Sequence, residues 1–179
     1  FKTNNGRIVF DGGGIDPDFE TEVEYLSDIS ISLARKDLIF DYATVYKTKH
    51  ATLHDGIEFR VTDTEYQDFV TWLQDKDYDY ITESEAILEE FKKAAEDEEY
   101  FDAIGIEYDE LLAKIHHDKK NDLQKQRNEI KRLLENELVT RYYYREGAIE
   151  NSFAYDIEMK KAIELLSNPI LYKAALKGQ

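Results

Sequence analysis

The sequence predicts a mainly α, multi-helix domain behind a short N-terminal β/Gly-rich segment. Three observations point there. Apolar residues recur at i, i+3 and i+4 spacing through most of the chain after residue 20. Two Thr-x-x-Glu signatures stand directly before such stripes. Strand-like patterning is confined to two short runs, Arg7–Phe10 and Ile57–Val61. With 179 residues, 42% of them apolar, 13 Tyr and 9 Phe, the chain has enough material for one ordinary domain or two small ones. Residues 1–20 and 21–179 are expected to form separate parts.

Arg7-Ile8-Val9-Phe10 reads as a strand. Asp11-Gly12-Gly13-Gly14 then makes a tight loop, because glycine enters backbone angles closed to other residues, and Asp16-Pro17-Asp18 an extended exit. One strand has nothing in this chain to pair with, so its backbone groups require a partner from elsewhere. Leu26, Ile29 and Leu33 then share a helical face, and Asp37 is placed to cap a second helix with Leu38, Phe40, Tyr42 and Tyr46. His50 to Gly56 is a polar connection. Ile57, Phe59 and Val61 alternate with Glu58 and Arg60, the period of a brief extended segment.

Thr62-x-x-Glu65 precedes Tyr66, Phe69, Val70 and Leu73; Thr82-x-x-Glu85 precedes Ile87, Leu88 and Phe91. In each, the hydroxyl accepts an amide bond at the third helical residue while the glutamate reaches back to the cap. Asp75–Tyr80 between them is charged and lacks a stripe, so it reads as a linker. The longest periodic run is Tyr108, Leu111, Leu112 and Ile115, continuing through Leu123, Ile130, Leu134 and Leu138 to about Tyr142. It reads as one long helix or two joined near His116-His117-Asp118. Glu137 and Arg141 stand in the favourable i, i+4 order, and Gly147 permits a break. A last helical region runs from about Asp156 to Leu166, stops near Asn168-Pro169 and resumes through Leu171 and Leu176.

The net charge of −16 is carried mainly by residues 63–102, with 15 acids against 3 bases. A solvated helical face is the plain reading of that stretch; a surface for a basic partner is the sharper one. Double-stranded nucleic acid and anionic membranes are poor partners for such a chain. The absence of cysteine excludes a disulfide framework and cysteine-ligated metal. No cofactor and no metal are expected: neighbouring His116 and His117 point about 100° apart on a helix, and no His-Glu-x-x-His or calcium-loop spacing occurs. The Gly12-Gly13-Gly14 loop lacks a following Lys-Ser/Thr and is ringed by aspartates, so it is no phosphate cradle. The six serines, Ser27, Ser30, Ser32, Ser84, Ser152 and Ser167, read as caps and surface. Tyr142-Tyr143-Tyr144, between Arg141 and Arg145, is either inter-helix packing or a protein-contact surface.

The stretch Lys2-Thr3-Asn4-Asn5-Gly6-Arg7-Ile8-Val9-Phe10-Asp11-Gly12-Gly13-Gly14-Ile15-Asp16-Pro17-Asp18 resembles the segment that closes the protease domain of carboxyl-terminal processing (tail-specific) peptidases, nearest to the large forms from Bacteroides-like bacteria. Leu38–Ala43, Phe69–Leu73 and Arg141–Tyr144 resemble motifs of their C-terminal helical region. Gly12, Gly13, Gly14, Pro17 and Asp18 carry the family pattern, while Asp11 stands where relatives often have glycine. The resemblance implies that residues 1–20 are left over from an upstream protease domain. It further implies a serine endopeptidase with a Ser–Lys dyad, a PDZ-like domain reading substrate tails, and export to the periplasm or cell envelope. The dyad would lie upstream of Phe1, so the chain is expected to be an inactive, non-catalytic helical module. Its expected partners are its own protease and PDZ-like domains and protein substrates, with self-association left open. The alternative is a free-standing helical module that binds a protein through the acidic stretch and the three tyrosines.

Overall fold

The structure, a computed structural model, describes residues 1–3, 8–12, 17–119 and 121–177, with residues 117–119 as backbone only. The helices are α1 (Asp28–Arg35), α2 (Leu38–Lys49), α3 (Asp63–Trp72), α4 (Glu83–Asp97), α5 (Phe101–Lys119), α6 (Asp122–Lys125), α7 (Arg127–Ser152), α8 (Ile157–Ser167) and α9 (Pro169–Leu176). Single 3₁₀ turns cover Gly56–Glu58 and Leu73–Asp75. The chain divides into two units, one of residues 26–151 and one joining residues 1–25 to 152–179.

The expected N-terminal β segment is corrected by this architecture: the fold is essentially all-α, and no strand occurs among the described residues. Lys2 and Ile8 form one isolated antiparallel bridge. The Phe1 ammonium donates to Val9 O at 2.8 Å and Val9 N donates to Phe1 O at 2.9 Å. One bridge is not a ladder, and Ile8, Val9 and Phe10 stay exposed, so the apolar run has no sheet face to bury. Gly13 and Gly14 lie outside the described residues.

In the larger unit the predicted stripes meet. Leu33, Tyr42, Ala43, Tyr46, Phe59, Tyr66, Phe69, Leu73, Ile130, Leu134, Leu138 and Val139 belong to one buried cluster fed by α1, α2, α3 and α7. Both Thr-x-x-Glu signatures form full capping boxes, at Thr62 and at Thr82. Asp37 precedes α2 in a left-handed conformation (φ 57°) and makes no side-chain cap bond; the aspartate serves the tight α1–α2 turn instead.

Residues 57–61 depart from the expected extended segment. Phe59 and Val61 are buried, as their alternation requires, but no neighbouring strand takes their backbone groups. Side chains of α7 do so: Val61 N donates to Glu135 Oε1 at 2.8 Å, and Asn151 Nδ2 donates to Ile57 O (2.6 Å) and Phe59 O (3.1 Å). Burying Glu135 and Asn151 is tolerable because each meets a backbone group that would otherwise be unpaired. The expected linker Asp75–Tyr80 is non-helical from Lys76 onward but docked: Ser32 Oγ donates to Tyr78 O at 2.9 Å, Tyr78 and Tyr80 pack against the core cluster, and Tyr80 hydroxyl donates to Asp122.

The long periodic run splits into α5, α6 and α7, and its halves differ in environment. Leu123, Ile130, Leu134 and Leu138 are core, whereas among the described residues none of α4 or α5 joins the core cluster. Those two helices pack on each other as a hairpin closed by Glu99 in the left-handed region (φ 59°). Ala95 and Tyr108 are its buried residues, and Ile87, Phe91, Ile106 and Leu111 stay exposed.

In the smaller unit Asp156 caps α8 through Met159 N at 2.7 Å. Asn168 caps α9 through Ile170 N and Leu171 N, with Pro169 as first helical residue. Proline there loses no hydrogen bond, so the residue expected to stop one helix begins the next.

Candidate functional site

Tyr142-Tyr143-Tyr144 sits where α7 kinks. Tyr144 has φ 61° and ψ −166°, a combination otherwise nearly restricted to glycine. The break thus falls three residues before Gly147, the position at which the sequence permits one. Gly147 instead makes room for a neighbour, since a Cβ there would collide with Tyr143 Cβ and lie 3.4 Å from its ring. The kink lays Tyr143 across the next turn, and only a residue without a side chain fits beneath it.

The three rings fare differently. Tyr143 is half-buried against the core cluster. Tyr142 is half-buried as well; its hydroxyl donates to His50 O at 2.6 Å, and Lys47 Nζ stands 4.7 Å from its ring centroid. Tyr144 is 76% exposed. None of the three is fully buried, although helical geometry predicts that at least one should be. The kink turns the third away.

Beside Tyr144, α2 and α7 flank an open surface pocket of about 470 Å³ lined by Thr44, Lys47, Thr48, Thr140, Arg141 and Tyr144. Lys47 donates to Arg141 O. The Arg141 guanidinium stacks 4.1 Å above the Phe40 ring, donates to Phe40 O at 2.7 Å and meets Glu137 Oε1 at 3.3 Å. Its Nε is buried without a hydrogen-bond partner. Two cations thus converge on one pocket of a chain whose net charge is −16. The Glu137–Arg141 pair is legible from its spacing. Lys47 is not, since it meets α7 only through tertiary packing 94 residues along the chain.

A second polar centre forms around Glu65, beside a cleft of about 420 Å³ lined in part by Tyr42, Tyr46, His50 and Trp72. Glu65 accepts from Tyr46 hydroxyl (2.7 Å), Thr62 N (2.8 Å) and Thr62 Oγ1 (2.7 Å), with His54 Nε2 at 3.3 Å. Burial pushes its pKa up, but these hydrogen bonds outweigh burial and hold it below the ordinary glutamate value. The same carboxylate raises Tyr46, where burial is the larger cause. Burial, with Asp68 and Glu65 adding to it, pushes Tyr42 up to about 12. His54 is raised, first by its bond to Asp55, with Glu65 adding to it against the effect of burial.

The serines are engaged structurally where their bonds are resolved. Ser27 N (2.9 Å) and Ser27 Oγ (2.8 Å) donate to Glu129 Oε1, which thereby caps α1 from α7, and Ser30 also binds that carboxylate. Ser32 serves the docked Tyr78–Asp79 backbone. Gly12 takes a positive φ of 85° with open space around it. Pro17 and Asp18 lie along a groove with Glu158, Lys161, Ala162 and Leu165 of α8. No group of three or more His, Asp or Glu able to hold a metal is present among the described residues; His117 and Asp118 side chains lie outside them. No helix among the described residues is long and apolar enough to cross a membrane. The acids of residues 63–102 are in part neutralised locally: Asp63 meets Arg127 (2.5 Å) and Lys131 (2.7 Å), and Asp77 meets Lys36 (2.9 Å); Glu85 stands 3.0 Å from the His116 imidazole.

No curated protein and no solved structure matches the chain. The family described as "Probable PDZ-protease, C-terminal helical domain" matches residues 29–166, which span α1 to α8 and hold the core cluster, the capping boxes and the tyrosine kink. With more than three quarters of its length so matched, the chain belongs to the family of C-terminal helical domains of probable PDZ-proteases.

Proposed function

We propose that this chain is the non-catalytic helical module of a secreted, tail-specific serine endopeptidase, supporting the protease domain or shaping the path by which protein substrates reach it. The family match over residues 29–166 carries this reading. The chemistry of the serines supports it. Ser27, Ser30 and Ser32 face a carboxylate and backbone carbonyls, whereas a nucleophile of a Ser–Lys dyad needs an amine positioned to take its proton. The parent acts in the periplasm or cell envelope, and the module's partners are the protease and PDZ-like domains of its own polypeptide and the substrates they process.

The test has two arms. The purified chain is incubated with an unstructured protein such as casein and fragments are followed by mass spectrometry; no cleavage is expected. Cleavage abolished by a Ser→Ala substitution within the chain would overturn the non-catalytic reading. In the second arm the parent protease is compared with a form truncated before residue 21. A change in cleavage rate or in preference for substrate tails is expected, and identical activity would overturn the accessory role.

A further inference from the structure

We infer that the pocket between α2 and α7 is a binding site for an acidic side chain presented by a peptide or protein segment. This goes beyond the accessory role and stands or falls separately from it. Three observations converge on the same few residues. Lys47 and Arg141 bring two positive charges to the lining of one pocket in a strongly acidic chain. Lys47 gives one N–H to Arg141 O, meets no carboxylate among the described residues, and has N–H groups to spare. Tyr144, on the pocket wall, is held in a backbone conformation that side-chain-bearing residues rarely occupy, and it leaves its ring in solvent. Strain of this kind persists where the surroundings impose it, and sites that grip ligands are one such place.

The remaining lining narrows the ligand class. Thr44, Thr48 and Thr140 donate their hydroxyl protons back to Phe40 O, Val45 O and Asn136 O of their own helices. Their oxygens remain as acceptors. The pocket thus offers cationic donors for an anion together with neutral acceptors, which suits a carboxylate accompanied by peptide N–H groups better than a bare phosphate. Charge favours the same choice. Glu137 already stands 3.3 Å from Arg141 and the net charge is −16, so a dianion meets more repulsion than a monoanion. The exposed rings of Phe40 and Tyr144 supply apolar flanks for the residues next to the acid.

The full chain is titrated with the peptide acetyl-Leu-Glu-Phe-amide, its glutamine counterpart acetyl-Leu-Gln-Phe-amide, and inorganic phosphate, with backbone amide shifts followed by NMR. Saturable shifts at Lys47, Thr48, Arg141 and Tyr144 are expected with the glutamate peptide, and binding about tenfold weaker with the glutamine peptide, because a charge-assisted bond is lost. Lys47→Met should weaken the glutamate peptide about fivefold or more, and Glu137→Gln should tighten it about twofold or more by removing a competing carboxylate. Glu137→Gln leaves both Lys47 and Arg141 in place, so it tests the site without removing either cation. Equal binding of the two peptides, no saturable shifts, or weaker binding by Glu137→Gln would overturn the proposal. Phosphate shifting the same amides more strongly than the peptide would overturn the carboxylate assignment.

Discussion

At Tyr144 and Gly147 the usual order of helix propensities should invert. In a helix interior alanine is more stabilising than glycine by about 1 kcal/mol. At Tyr144, φ is 61° and the ring is mostly in solvent, so removing the ring sacrifices little burial while glycine releases the backbone. Tyr144→Gly is therefore expected to be more stable than Tyr144→Ala by about 1 kcal/mol, read from urea unfolding midpoints. Gly147 inverts in the same sense for a different reason. The added methyl of Gly147→Ala would meet Tyr143 Cβ, and overpacking of this kind destabilises by about 1–3 kcal/mol. A melting temperature equal to or above that of the unmodified chain would show that the helix relaxes around the methyl. Neither inversion is legible in the sequence. A triple tyrosine and a lone glycine fit many helices, and the backbone angle that makes them special is imposed by packing.

The elements that are readable owe their form to neighbours along the chain. A capping box closes within four residues, so Thr62 and Thr82 can be assigned before any packing is known. Removing the hydroxyl in Thr82→Ala should cost about 1 kcal/mol of helix stability. Since α4 and α5 lie outside the core cluster, the loss should stay local, with faster hydrogen exchange in α4 and unchanged exchange in α3 and α7. Thr62 differs, because Glu65 of its box binds Tyr46 of the core cluster, whereas Glu85 meets His116 of α5 outside it; Thr62→Ala should disturb α2 too. Residues 57–61 show where pattern reading stops. Alternation reports correctly that Phe59 and Val61 face inward, but it cannot tell a strand from an irregular segment whose backbone is satisfied by Glu135 and Asn151. The N-terminal run shows the same limit, since an apolar sequence makes a strand only when a ladder exists to receive it.

For the molecule as a whole, stability should vary with pH through a few identifiable groups. Glu65 and Glu129 both titrate below the ordinary glutamate value of 4.5; in each, burial alone would raise the pKa and hydrogen bonds reverse it. A lowered folded-state pKa contributes stability that is present above 4.5 and is lost as pH falls through the folded value. His54 is raised above 6.5, so its contribution is present below 6.5 and fades as pH rises through its folded value. The urea midpoint gap between the unmodified chain and Glu65→Gln should therefore be constant between about pH 4.5 and 6.5, shrink below that window as Glu65 takes a proton, and shrink above it as His54 loses the charge that Glu65 stabilises. The gap to His54→Asn should be constant over the same window, shrink above about pH 6.5, and shrink below about pH 4.5 as the carboxylates of Asp55 and Glu65 that raise His54 are protonated. Using gaps removes the general self-repulsion of a chain with net charge −16, which the variants share almost fully. A Glu65→Gln gap that widens on acidification below about pH 4.5 would contradict the assigned direction.

Helix starts, helical faces and the acidic excess of residues 63–102 were legible because each depends on residues within a turn or two of one another, or on composition alone. The pairing of α2 with α7, the placing of the first part of the long periodic run in a hairpin with α4 outside the core, and the kink at Tyr144 were not, because they are set by packing rather than by the local pattern. The Lys47–Arg141 pocket belongs to that second group. Each cation is an ordinary surface residue in the linear chain, and it is the approach of two helices about a shared apolar cluster that sets their charges side by side.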